Sequence, residues 1–182
     1  MSLAVSALDK VPVAQLGAEW LLDGLAKDHL NDHVERWLRK ADSLPDLPLE
    51  RVKGLIFNRS QRDVAIAILQ NTKLVKPRTI GLGWLLALAR RADPTLHEFA
   101  HRYLLQHMKP DDFAAEGSTA VAGGESPGVA RLFGLALGEK EPEAVRAFAQ
   151  TYLRCHHPTL GPEQPESRAM QLKPQLSWTA YT

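Results

Sequence analysis

The residues with the clearest chemical potential are His97-Glu98-Phe99-Ala100-His101. Two histidines four apart share one face of a helix. Both imidazoles can then hold one zinc ion, while the glutamate acts as general base on a zinc-bound water. His107 stands at the spacing where a longer form of this motif places its third ligand. That longer form needs glycine at the position of Leu104, so that the helix ends and the last histidine swings back. Here the apolar pattern runs on past Leu104, and His107 would lie about 15 Å along the axis from His97.

Other reactive types give less. Cys155-His156-His157 has no second Cys/His pair at zinc-site spacing. His107 and His156 suit the last turn of a helix, where histidine meets free carbonyls and the negative end of the dipole. No Gly-x-Ser-x-Gly turn holds a serine. Gly81-Leu82-Gly83 lacks the strand before it and the Gly-Lys-Ser/Thr ending of a phosphate loop, so these glycines mark close helix packing or a helix start. The expectation is a chain without catalytic residues or cofactor. His97 and His101 remain a remote metal-ligand pair and otherwise read as solvated helix residues.

The 182 residues are 45% apolar and 24% charged, which suits a globular chain and excludes a disordered or collagen-like one. One cysteine, Cys155, rules out an internal disulfide framework and fits a reducing compartment. The longest apolar run, Ile80 to Ala89, is about half of a membrane span, and Met1 to Leu8 lack the basic start of a signal peptide. A cytoplasmic chain without a membrane segment is expected.

The net charge of +1 conceals a pattern. Residues 1–50 sum to −4, residues 51–91 to +8 and residues 92–182 to −3. A basic band of this kind can receive phosphate or an acidic partner. Arg59, Arg62, Lys73, Lys76 and Arg78 lie at helix ends or in connections and are the candidate partner-binding residues.

The elements that must carry these groups repeat. Phe99-Ala100-x-x-Tyr103-Leu104-x-x-His107 returns forty-nine residues later as Phe148-Ala149-x-x-Tyr152-Leu153-x-x-His156. Asp93-Pro94 and Glu141-Pro142 precede the two copies, and Pro110 and Pro158 follow them. In the first copy Leu96, Phe99, Ala100, Tyr103, Leu104 and His107 fall within an arc of roughly 140°, the wide stripe of a packed helix. The second copy keeps this packing skeleton but has Arg146, Ala147 and Gln150 in place of His97, Glu98 and His101.

A first helix precedes each copy, over Ile80 to Arg91 and Val129 to Leu137. A weaker third copy spans Pro48 to Phe57 and Arg62 to Asn71, with Ser60 and Asp63 as its start signal. Val13 to Ala26 and Asn31 to Ala41 read as a further pair. Gly117 to Gly128 reads as a loop, and no strand period appears, so the chain is expected to be all-α. Trp20, Trp37 and Trp84 are expected in the core.

Paired helices at this period resemble HEAT and armadillo repeats over residues 45–158. The resemblance implies a right-handed superhelix of stacked antiparallel hairpins. It also implies a non-enzymatic scaffold whose surface binds another protein, or, through the basic band, a nucleic acid. The expected layout is one repeat domain over 1–182, with an N-terminal pair over 1–44, three hairpins over 45–158 and a proline-rich tail over 159–182. Neither end offers a polar capping repeat, which predicts a longer parent protein. Trp178 and Tyr181 are the tail residues suited to docking.

Overall fold

In a computed structural model, the structure describes residues 8, 10–27, 29–114 and 126–156. Among them it is all-α, with packed helix pairs and no strand. Two compact units emerge, Met1–Ile80 and Gly81–Thr182. The boundary falls inside the 45–158 segment, and the candidate tail residues Trp178 and Tyr181 lie outside the described residues.

The first unit contains α1 (Val13–Leu16), α2 (Ala18–Gly24), α3 (Asn31–Lys40), α4 (Leu49–Leu55) and α5 (Arg62–Gln70). The single helix expected over Val13 to Ala26 is cut in two at Gly17, whose φ of +79° interrupts the helical backbone. Leu21, Leu22, Val34, Leu38, Val52, Ile56, Ile68 and Leu69 fill the core. Trp37 joins them, but Trp20 is 37% exposed and stacks over Trp37 at a ring-centre distance of 6.4 Å. An aromatic ring can thus extend an apolar core outward without being enclosed by it. Ser60 does not cap α5. Asn58 organises the turn instead, its Oδ1 accepting from Ser60 N at 3.1 Å and Ser60 Oγ at 2.9 Å.

The second unit contains α6 (Leu82–Ala89), α7 (Pro94–His107), α8 (Pro127–Leu137) and α9 (Glu143–His156). Gly81, with φ +89°, starts α6, while Gly83 meets no neighbour and has no packing role. Asp93 caps α7 by accepting from Thr95 N and Leu96 N, with Pro94 in the first turn. Ser126 caps α8 by accepting from Val129 N, and Pro127 follows. The end of the segment expected as a loop therefore opens a helix. Helices α6 and α7 pack as one pair, α8 and α9 as a second.

The repeated skeleton is a repeated core. Phe99, Ala100, Tyr103 and Leu104 are buried on α7, and Phe148, Ala149, Tyr152 and Leu153 are buried on α9. Phe99 and Tyr103 ring centres lie 5.7 Å apart, Phe148 and Tyr152 5.9 Å. Tyr103 meets His107 at 4.6 Å, and Tyr152 meets His156 at 4.5 Å. The hydroxyls differ: Tyr152 Oη donates to the Met108 carbonyl, while Tyr103 Oη is buried with no partner among the described residues.

Replacing Tyr152 by Phe should cost about 1–3 kcal/mol, because it removes the donor from a buried carbonyl. Tyr103→Phe should leave stability unchanged or slightly higher, since it deletes an unpaired hydroxyl; paired thermal melts measure the contrast. Two glycines offer a second contrast. A Cβ on Gly128 would fall 1.9 Å from the Pro110 carbonyl oxygen, where α8 meets the 3₁₀ turn Pro110–Phe113. Gly128→Ala should therefore cost about 1–3 kcal/mol through overpacking. Gly134 on α8 faces open space, so Gly134→Ala should add about 0.5–1 kcal/mol.

Candidate functional site

Ties at two levels join the α6–α7 pair to α9. Near the starts of α7 and α9, Arg90 at the end of α6 forks onto Glu141 before α9, with Nε to Oε2 at 3.0 Å and Nη2 to Oε1 at 2.9 Å. Near their finishes, Tyr152 donates to Met108 O and His156 Nε2 donates to Leu105 O at 3.0 Å. Leu105 lies in the last turn of α7, where a helix leaves carbonyls without intrahelical donors. His156 therefore serves the helix of the other hairpin, whereas its repeat equivalent His107 packs on Tyr103 of its own helix. The expectation placed His156 in the last turn of a helix, bonding free carbonyls there; the carbonyl it meets is on the other hairpin.

Between these ties the two helices leave a groove of about 340 Å³. His97, His101 and Leu105 line one wall; Ala144, Ala147, Phe148 and Thr151 line the other. The small side chains on α9 keep the groove open, and Thr151 Oγ1 is turned back to the Ala147 carbonyl at 2.9 Å. No Lys, Arg, Asp or Glu side chain belongs to the lining.

The two histidines are not the solvated pair that the sequence suggests. Their rings stack at 5.5 Å with planes 8° apart, and His101 also lies over Phe148 at 5.1 Å and 18°. Three rings thus form a ladder from α7 to α9. His101 Nε2 is buried and has no hydrogen-bond partner among the described residues. Burial, and then the neighbouring His97, pull the His101 pKa down to about 4. The ring is therefore neutral at physiological pH.

The other parts of the zinc-protease pattern separate. Glu98 points away and pairs with Arg102 at 2.6 Å. His107 packs on the Tyr103 ring. Among the described residues no three His, Cys, Asp or Glu side chains gather as a metal site. His97 and His101 come together, but the motif's base and third ligand do not join them.

The basic band is distributed over both units. Arg59, Arg62, Lys73, Lys76 and Arg78 belong to the first, Arg90 and Arg91 to the second. Arg59, Lys76 and Arg78 are exposed. Arg62 Nε donates to the Ile56 carbonyl at 3.0 Å, and Lys73 pairs with Asp42. Arg51 bridges Glu19 and Asp23, and Lys53, itself buried, pairs with Glu50 at 2.6 Å. The acidic N-terminal block thus neutralises part of the band within the same unit. Sequence spacing gave no sign of this, because most of these partners are about thirty residues apart.

Because His101 binds its proton less readily when folded than when unfolded, acid should destabilise the second unit. The loss should begin as pH falls below about 6.5, the ordinary histidine value, and level off below about 4. Its size is at most about 3 kcal/mol, reduced by solvent in the open groove. His101→Gln, which copies the residue at 150, should lose this component, so urea midpoints across the pH range should fall less steeply in the variant.

Among the described residues no helix is long and apolar enough to cross a membrane. Compared with protein-family models, with curated proteins and with solved structures, the chain matches none of them.

Proposed function

We propose that the chain is a HEAT-like helical-repeat scaffold, of the stacked-hairpin type, that binds another protein in the groove between α7 and α9. The observation that carries this reading is the recurrence of one packed skeleton on two successive hairpins, with the second helices left standing beside an uncharged groove. Repeat folds of this kind use stacked second helices as a binding surface, because repetition aligns equivalent faces. The groove walls supply apolar area, and neutral His101 adds one polar group able to fix the register of a bound segment. In this reading the partner presents an apolar, uncharged stretch to the groove, and the chemistry is recognition.

A photo-crosslinking residue at Thr151 of the full chain tests this in native extract. A discrete protein adduct should form, and Ala147→Arg, which fills the groove with a charged side chain, should abolish it. Gly134→Lys, on the open side of α8, should leave the adduct intact. An adduct that survives Ala147→Arg, or a chain recovered without any adduct, would refute the groove as a binding surface.

A further inference from the structure

We infer that the first unit carries a phosphate-binding surface for double-stranded nucleic acid, built from Lys40 at the finish of α3 and from Lys73, Lys76 and Arg78 in the segment after α5. The packing of α3 on α5 brings these two stretches of chain together. Asn71 Nδ2 donates to the Ala41 carbonyl at 2.9 Å, and Lys73 pairs with Asp42, so the segment leaving α5 is laid against the end of α3. Lys40, which in sequence belongs to the acidic N-terminal block, thereby joins the basic band in space.

Lys40, Lys73, Lys76 and Arg78 are all exposed. Asp42 offsets Lys73, and Arg39 beside Lys40 is held by Glu35 at 2.7 Å. Lys40 and Lys76 have no ion-pair partner among the described residues. From residue 64 to residue 92 the sequence has no Asp or Glu that could supply one. The 3₁₀ turn Pro77–Thr79 fixes the backbone between Lys76 and Arg78, with Thr79 Oγ1 and Thr79 N both donating to the Lys76 carbonyl, at 2.7 and 2.9 Å. Cations presented from a fixed backbone lose less freedom on binding.

The same residues point to the class of partner. Val75 and Ile80 are turned inward, 4% and 0% exposed, and neither segment 71–79 nor the finish of α3 presents an exposed aromatic ring. A protein interface centres on a buried apolar or aromatic anchor, and unpaired bases are held by stacking on an aromatic ring. Lys and Arg side chains with an exposed hydroxyl, here Thr72, are the donors that contact phosphate oxygens along a duplex. Such a surface positions nucleic acid without reading its sequence. It lies outside the unit that holds the groove, so its measurement is separate from that of the scaffold reading.

Fluorescence anisotropy of labelled DNA and RNA duplexes titrated with the full chain tests this. Binding should be saturable, and the duplex bound more tightly identifies the source. On DNA the log–log salt slope should be about −0.9 for each neutralised phosphate, hence about −3 for Lys40, Lys76 and Arg78 together. Lys40→Gln and Lys76→Gln should each weaken binding about eightfold at about 0.1 M salt and lower the slope by about 1, alike for unrelated sequences. Both variants should match the parent by circular dichroism, since both side chains are exposed. Arg59→Gln, beyond the far end of the nine-residue α5, should bind as the parent does. Parent-like binding by Lys40→Gln would overturn the proposal, because only the fold joins Lys40 to the band. So would failure of both duplexes to bind at low salt, or tighter binding to single strands. Equally tight binding to polyglutamate would also overturn it, and would mark an acidic protein as the partner.

Discussion

The last turn of α7 leaves carbonyls that its own helix cannot satisfy, and the second unit is organised around how that debt is met. Tyr152 and His156 of the following hairpin bring the donors. Because Tyr152 stands on the buried stripe of α9, with the exposed His156 one turn on, satisfying those carbonyls also fixes how α9 packs. Phe148 then falls against His101 and Phe113, and the Phe113–Tyr152 contact at 4.9 Å closes the core behind it. Backbone hydrogen bonding and apolar burial here select the same arrangement, which is the consistency expected of a foldable repeat.

Repetition made that arrangement readable before any coordinates. Phe-Ala-x-x-Tyr-Leu-x-x-His recurs because each position has a packing or bonding task, and Asp93-Pro94 announces a helix start by its chemistry. The α3 and α5 boundaries also follow the apolar period to within a residue. What escaped the sequence was mostly non-local. The ion pairs of Arg51 with Glu19 and Asp23 depend on which helices meet, and a running charge sum cannot see that. Trp20 remains partly exposed because Trp37 takes the inner place. Other misses were local choices between equivalent signals. Asn58 and Ser60 can both organise a turn, and Asn58 does so here; Gly17 can stand in a helix or break it, and it breaks it.

The groove shows the same division. Its walls follow from the two copies, but its character comes from where they differ. At one matched position α7 has His101 and α9 has Gln150, each with a buried side-chain nitrogen that lacks a partner. Polar residues at these sites are a cost to the fold that the apolar skeleton tolerates. A helical wheel places His101 at the edge of the stripe. Only the neighbouring helix decides whether that edge is water or protein, and Phe148 makes it protein.

Arg90 and Glu141 acquire a further meaning once the opposite end is considered. Their two-bond fork ties the turn between α6 and α7 to the approach to α9, as Tyr152 and His156 tie the finishes of α7 and α9. A channel clamped at both ends resists widening, since its sides can move apart only by bending. The shape of the groove between them is therefore set during folding. On the scaffold reading proposed above, little freedom would be left to freeze on association, so selectivity would rest on contour more than on adaptation.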